Sequence, residues 1–237
     1  MTESALTVGV LGGMGPLATL DLLHRILELT PAADDRDHIR TLVDNNPKVP
    51  SRIDYFLHQC GENPAPLIAD MARNLESQGA DFLVMPCNTA HLFSAEIAAA
   101  VSIPLINMIE VTADRLKSAD IVKAGLLAST AVHRTALYLE TLQGRQIESL
   151  VPDADNQDRL MAAITDIKAG KTGDEQTDVV QQTADHLSNA GTDALVIACT
   201  ELSAISSRIS TSIPLVDAAQ CLAEETVNLA LRRKTIE

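Results

Sequence analysis

Residues 78–87, QGADFLVMPC, recur as AGTDALVIAC at 190–199, and this internal duplication constrains the fold more than any other feature of the chain. Gly79, Asp81, Leu83, Val84 and Cys87 return as Gly191, Asp193, Leu195, Val196 and Cys199, an offset of 112 positions. A second shared string follows each copy, SIPLIN at 102–107 and SIPLVD at 212–217, offset by 110, so the copies differ by a two-residue insertion or deletion. Each copy joins a helical stretch to a short continuous apolar run, the pattern of a strand covered on both faces in a parallel sheet. Strands are expected near 6–11, 39–43, 82–86 and 104–107, then in the same order near 124–128, 146–151, 194–198 and 214–216. Helices are expected at 17–29, 64–78, 91–100, 109–118, 132–143, 156–169, 175–190 and 218–233. The expected architecture is α/β: two pseudo-symmetric doubly wound lobes, each with a roughly four-stranded parallel sheet, and an active site in the cleft between them. The lobes are expected at 1–112 and 113–216, with a C-terminal helix at 217–237 able to pack back on the first.

Charge narrows the partners. A formal net charge of −14 argues against nucleic acid and anionic membranes as partners. An anionic ligand would then need locally placed cations. No apolar run reaches the length of a membrane-spanning helix. The start, MTESALTVGVLGGMG, lacks a basic segment and its apolar part ends in glycines, unlike a signal peptide. Four scattered cysteines then read as reduced thiols of the cytoplasm.

The duplicated thiols carry the chemistry. Cys87 and Cys199 each close a predicted strand and precede a predicted helix, at the sheet edge where ligands bind in open parallel folds. A helix N-terminus favours the thiolate, and Asn88, Thr89 and Thr200 are capping residue types. Two like groups facing one carbon suit a 1,1-proton transfer, with one thiolate removing a Cα proton and the opposite thiol returning one. Their sulfurs should then stand roughly 7 Å apart around the substrate. Buried packing is the alternative role for any single cysteine, and it is the role assigned to the unmatched Cys60 and Cys221. A metal is not expected, since Cys87 and His91 form one Cys-x-x-x-His pair without a second. Gly13, Gly15 and Ala18 with Asp44 match a dinucleotide fingerprint, but Pro16 removes a backbone donor where a pyrophosphate would need one. No cofactor is expected.

GVLGGMGPLAT at 9–19, MPCNTAH at 85–91 and ACTELS at 198–203 together resemble the aspartate/glutamate racemase family, most closely its aspartate racemase branch. The resemblance runs over nearly the whole chain. It implies a racemase independent of pyridoxal phosphate, two α/β lobes around the active site, and a homodimer. It makes Cys87 and Cys199 the catalytic pair, and Asn88 and Thr89 ligands of the α-carboxylate. Thr130 in LLAST matches a substrate-binding threonine, Arg52 in VPSR, in a loop after the second strand, the arginine that holds the side-chain carboxylate, and Lys168 in DIKAG a second cationic contact, with Lys171 one turn away as the alternative. Met14 and Thr200 join the expected lining, and Glu201 is a candidate proton relay to Cys199. Glutamate racemases carry a His shortly after the second Cys, where this chain has Glu201, so aspartate is expected before glutamate. Two alternatives stay open: an isomerase or decarboxylase of a related dicarboxylic acid, and a silent sensor of an acidic amino acid.

Overall fold

The computed structural model describes residues 5–232. The chain divides into two compact units, one formed by the residues up to Met108 together with those from Ala219, the other by Ile109–Ala218. The first unit holds β1 (Val8–Gly12), β2 (Thr41–Asn45) and β3 (Phe82–Val84), all parallel, in the order β2-β1-β3. The second holds β4 (Lys123–Ala128), β5 (Glu148–Leu150), β6 (Ala194–Ala198) and β7 (Leu215–Asp217), also parallel, in the order β5-β4-β6-β7. The strand expected at 104–107 is reduced to a single parallel bridge, Leu83 to Leu105. Two ladder hydrogen bonds hold it, Leu83 N–H to the Pro104 carbonyl and Ile106 N–H to the Leu83 carbonyl. The chain then turns into the Met108–Ser118 helix before a longer ladder can form. Leu195 and Leu215 pair in the equivalent place, so the repeat survives in the topology.

Most shared repeat residues have a structural task. Gly79 and Gly191 follow the Ala65–Ser77 and Asp174–Asn189 helices at φ +93° and +80°, the left-handed conformation that ends a helix and that side chains disfavour. Asp81 Oδ2 accepts from the Thr7 N–H, and Asp193 Oδ2 from the N–H groups of Val122 and Lys123, so each carboxylate clips its strand to the start of the central one. Leu83 and Leu195 fill the space over Gly9 and Gly125, where a Cβ would come within 2.6 and 2.8 Å of the leucine Cδ2. Val84 and Val196 are fully buried. The cysteines are the shared residues for which the fold requires only a small buried group.

Burial on both faces explains the apolar runs. In β6, Ala194, Val196 and Ala198 pack with Tyr138 and Leu142 on one face. Leu195, Ile197 and the following Cys199 pack with Leu160 and Ile164 on the other. Leu83, Met85 and Cys87 repeat that alternation in the first unit. The Ala218–Ala230 helix belongs to the first unit, where the Leu6 N–H donates to the Ala230 carbonyl and Arg25 donates to Gln220. The helix expected over 132–143 is two, Thr130–Arg134 and Leu139–Gly144, separated by Ala136 at φ +54°. Tyr138 is 1% exposed just beyond the break, and its burial overrides local helix preference.

Candidate active site

In the first unit the site is built on the edge of β1 and β3. β1 ends at Gly12, and Gly13 stands at φ +88° with its backbone against Asn46, where a Cβ would lie 2.3 Å from the Asn46 carbonyl carbon. The Gly13 N–H donates to Thr19 Oγ1, whose own hydrogen goes to the Gly15 carbonyl. That lattice fixes the Gly13–Gly15 loop ahead of the Pro16–Leu29 helix.

Arg52 is fastened to this loop. The sequence places it in a loop, but the structure makes it the first residue of an Arg52–Leu57 helix, capped by Ser51 Oγ accepting from the Asp54 N–H. It is only 8% exposed. Nη2 donates to the Met14 carbonyl at 2.8 Å, and Nη1 to the carbonyls of Pro50 at 3.0 Å and Val49 at 3.5 Å. The buried Nε–H makes no hydrogen bond. Among the described residues no carboxylate pairs with this guanidinium. A buried, permanently charged group without a counter-ion is costly, so it marks a place for an anion. Met14 is buried and contributes its carbonyl to Arg52, and Met14, Val49 and Cys87 share one apolar cluster.

Cys87 lies three residues past β3, ahead of a 3-10 helix at Thr89–Phe93 and a short α-helix at Ser94–Ala98. These replace the single helix expected over 91–100. The expected capping does not form: the Asn88 side chain makes no cap hydrogen bond, and Cys199 rather than Thr200 occupies the N-cap of the Thr200–Ser203 helix. Elements this short carry little macrodipole, so helix ends contribute less to thiol activation than their placement implies. Asn88 is buried beside Cys87, and Thr89 is half-buried at the start of the 3-10 helix.

His91 sits inside the protein. The Met108 N–H donates to its Nε2 at 3.1 Å, and its Nδ1 lies 2.9 Å from the Cys87 carbonyl. A backbone N–H has a fixed direction, so Nε2 carries the lone pair and Nδ1 donates its proton to Cys87. Burial lowers the His91 pKa, opposed by the Cys87 and Ile106 carbonyls. His91 is thus a neutral latch on the cysteine loop, with both nitrogens committed and none left for a metal.

In the second unit Cys199 follows β6 directly and is 6% exposed, as is Cys87. Its Sγ donates to Glu201 Oε2 at 3.2 Å, a thiol–carboxylate pair that Cys87 lacks among the described residues. Thr200 is buried between them. At the end of the central strand β4, Ser129 caps the Thr130–Arg134 helix. The Thr130 N–H points at Met161 Sδ, and its hydroxyl accepts from Gln157 Nε2. Lys168 ends the Ala154–Lys168 helix and is exposed. Seven residues past Met161, at 1.5 Å per residue, it lies about 10 Å along the axis from the Thr130 contact. Lys171 is engaged by Asp166 at 2.7 Å, leaving Lys168 as the lysine of this segment without an ion pair among the described residues. Cys60 is exposed and Cys221 buried.

Residues 11–226 match the model of the Asp/Glu/hydantoin racemase family. The chain belongs to that family. Within it, the chain is 30% identical over 230 residues to the broad specificity amino-acid racemase RacX of Bacillus subtilis (strain 168), covering 94% of this chain and 98% of the relative. The aspartate racemase of Picrophilus torridus superposes with a TM-score of 0.81 at 32% identity, over 98% of this chain and 96% of that one. Glutamate racemase of Francisella tularensis, at 17% identity and a TM-score of 0.67 over 100% and 86% of the two chains, shares the fold.

Two groups around Thr130, Gln157 and His133, belong to no motif of the sequence. Gln157, at the N-terminal end of a polar helix, carries no motif. His133 is set into its unit with its pKa pushed down to about 4, chiefly by burial and opposed by Gln157. No helix among the described residues is long and apolar enough to cross a membrane.

Proposed function

We propose that this chain is a cofactor-independent amino-acid racemase acting on an acidic amino acid, aspartate before glutamate, by a two-base transfer between Cys87 and Cys199. The observation that carries it is the duplication itself. The other shared residues end helices, clip strands or fill the core, while the cysteines, equally buried in the two core clusters, also carry an ionisable thiol. One thiolate takes the Cα proton, forming S–H as C–H breaks, and the electron pair enters the carboxylate as an enediolate. The other thiol then protonates Cα from the opposite face and becomes the thiolate, ready for the reverse direction. Glu201, hydrogen bonded to Cys199, relays protons on that side.

Arg52 holds the side-chain carboxylate, which supplies its missing counter-ion. Asn88, Thr89, Thr200 and Thr130 hold the α-carboxylate and take up the enediolate charge, with Lys168 a further cation for an anionic substrate. The enzyme works as a cytoplasmic homodimer. Chiral chromatography of the purified protein with each common amino acid tests this reading. Interconversion led by aspartate supports it; turnover of malonates or maleate alone, or binding without turnover, overturns it. Likeness to the broad specificity racemase RacX favours a second reading with a wider range of amino acids as substrates, which the same screen reveals.

A further inference from the structure

Gln157 makes two hydrogen bonds from one nitrogen. Its Nε2 lies 3.1 Å from the Ala128 carbonyl at the end of β4 and 3.2 Å from Thr130 Oγ1. The carbonyl can only accept, so the amide face turned to it must be the NH2; the flipped amide would set two acceptors against each other. One amide hydrogen therefore serves Ala128 and the other serves Thr130. The Thr130 hydroxyl accepts in that bond, and its own hydrogen must be donated elsewhere. Among the described residues nothing receives it, and the Thr130 backbone N–H is already directed at Met161 Sδ.

Alongside, Gln157 Oε1 is the amide atom left for the neighbouring His133 ring, whose pKa Gln157 raises against the larger, opposing effect of burial. The imidazole neighbours the Gln157 amide and is uncharged at neutral pH.

We propose that Gln157 is a positioning residue that polarises Thr130: it fixes the hydroxyl as an acceptor on one side, so that its hydrogen is presented only to an incoming carboxylate oxygen. This rests on the reading that Thr130 meets the substrate carboxylate. It assigns Thr130 one direction of hydrogen bonding, as donor, and makes the site favour an anionic oxygen over an ammonium or amide hydrogen at that point.

A double-mutant cycle with Thr130→Val and Gln157→Met tests it, read both as kcat/KM for aspartate and as the calorimetric Kd for malonate. Methionine keeps the length of Gln157 without its hydrogen bonds. Thr130→Val is expected to weaken binding roughly 10- to 150-fold, the range of a hydrogen bond to a charged group. Thr130→Ser should restore most of it. Gln157→Met alone should cost roughly 3- to 10-fold, mainly in KM and Kd with kcat little changed. Combined with Thr130→Val it should cost nothing further, because its effect passes through the hydroxyl; structural damage around Ala128 would cost the same in both backgrounds. Additive losses overturn the inference, as does a Thr130→Val protein that binds normally. If the wild-type protein binds malonate but turns over no amino acid, the proposed function fails and this inference is judged on Kd. If it binds neither, both fail.

Discussion

Replacing His133 by Leu should remove a defined part of the acid sensitivity of the fold. Burial pushes the folded-state pKa of His133 down to about 4, from 6.5 for a free histidine. A lowered histidine pKa means that the folded state resists protonation. Above the unfolded value both states are neutral and the group is silent. As pH falls below it, the unfolded chain binds a proton that the folded chain does not, and stability drops until the folded value is reached. Linkage gives a loss of roughly 2 kcal/mol between about pH 7 and about pH 5 from this one group. His91, also lowered by burial, acts in the same direction. Urea unfolding followed by circular dichroism across this range reads the effect. The stability difference between wild type and His133→Leu should swing towards the variant by roughly 2 kcal/mol as pH falls, whatever its value at neutrality. Two parallel curves would refute a neutral His133 ring with buried nitrogens.

Arg52→Met should lower kcat/KM for aspartate roughly 10- to 150-fold, the worth of about 1.5–3 kcal/mol for a charged hydrogen-bonded contact, while any turnover of alanine changes little. Equal losses on both substrates would remove Arg52 from side-chain recognition. Gly13→Ala places a Cβ 2.3 Å from the Asn46 carbonyl carbon at a φ of +88°. It should cost roughly 3 kcal/mol or more in urea unfolding, and wild-type stability would show that the loop is free to move.

The fold was readable because its strands are buried on both faces and its repeat kept glycines and aspartates at helix ends and strand starts. Gly79, Asp81 and their copies were visible as a pattern, though their task as helix stop and strand clip needed coordinates. The Arg52–Leu57 helix was missed, yet Ser51 with Asp54 three residues on, before an apolar run, carries a helix-start signature. The break at Ala136 had no such signal, because HRTALYLETL contains neither Gly nor Pro and the burial of Tyr138 decides it. At the site the cysteines and Arg52 were legible as residue types in motifs. Gln157 and His133 were not, since their roles come from what lies beside them across the fold rather than from any spacing in the chain.

The two-base mechanism is tested most directly by Cα proton exchange in Cys87→Ser and Cys199→Ser. Each variant is incubated in deuterated buffer with L- and with D-aspartate, with NMR following exchange and chiral chromatography following inversion. Both proteins should remain folded and lose roughly 10²–10⁴ in racemisation. Each should still exchange the Cα proton of one enantiomer only, a different one for each variant. Racemisation near the wild-type rate by either single variant would contradict the paired-thiol mechanism.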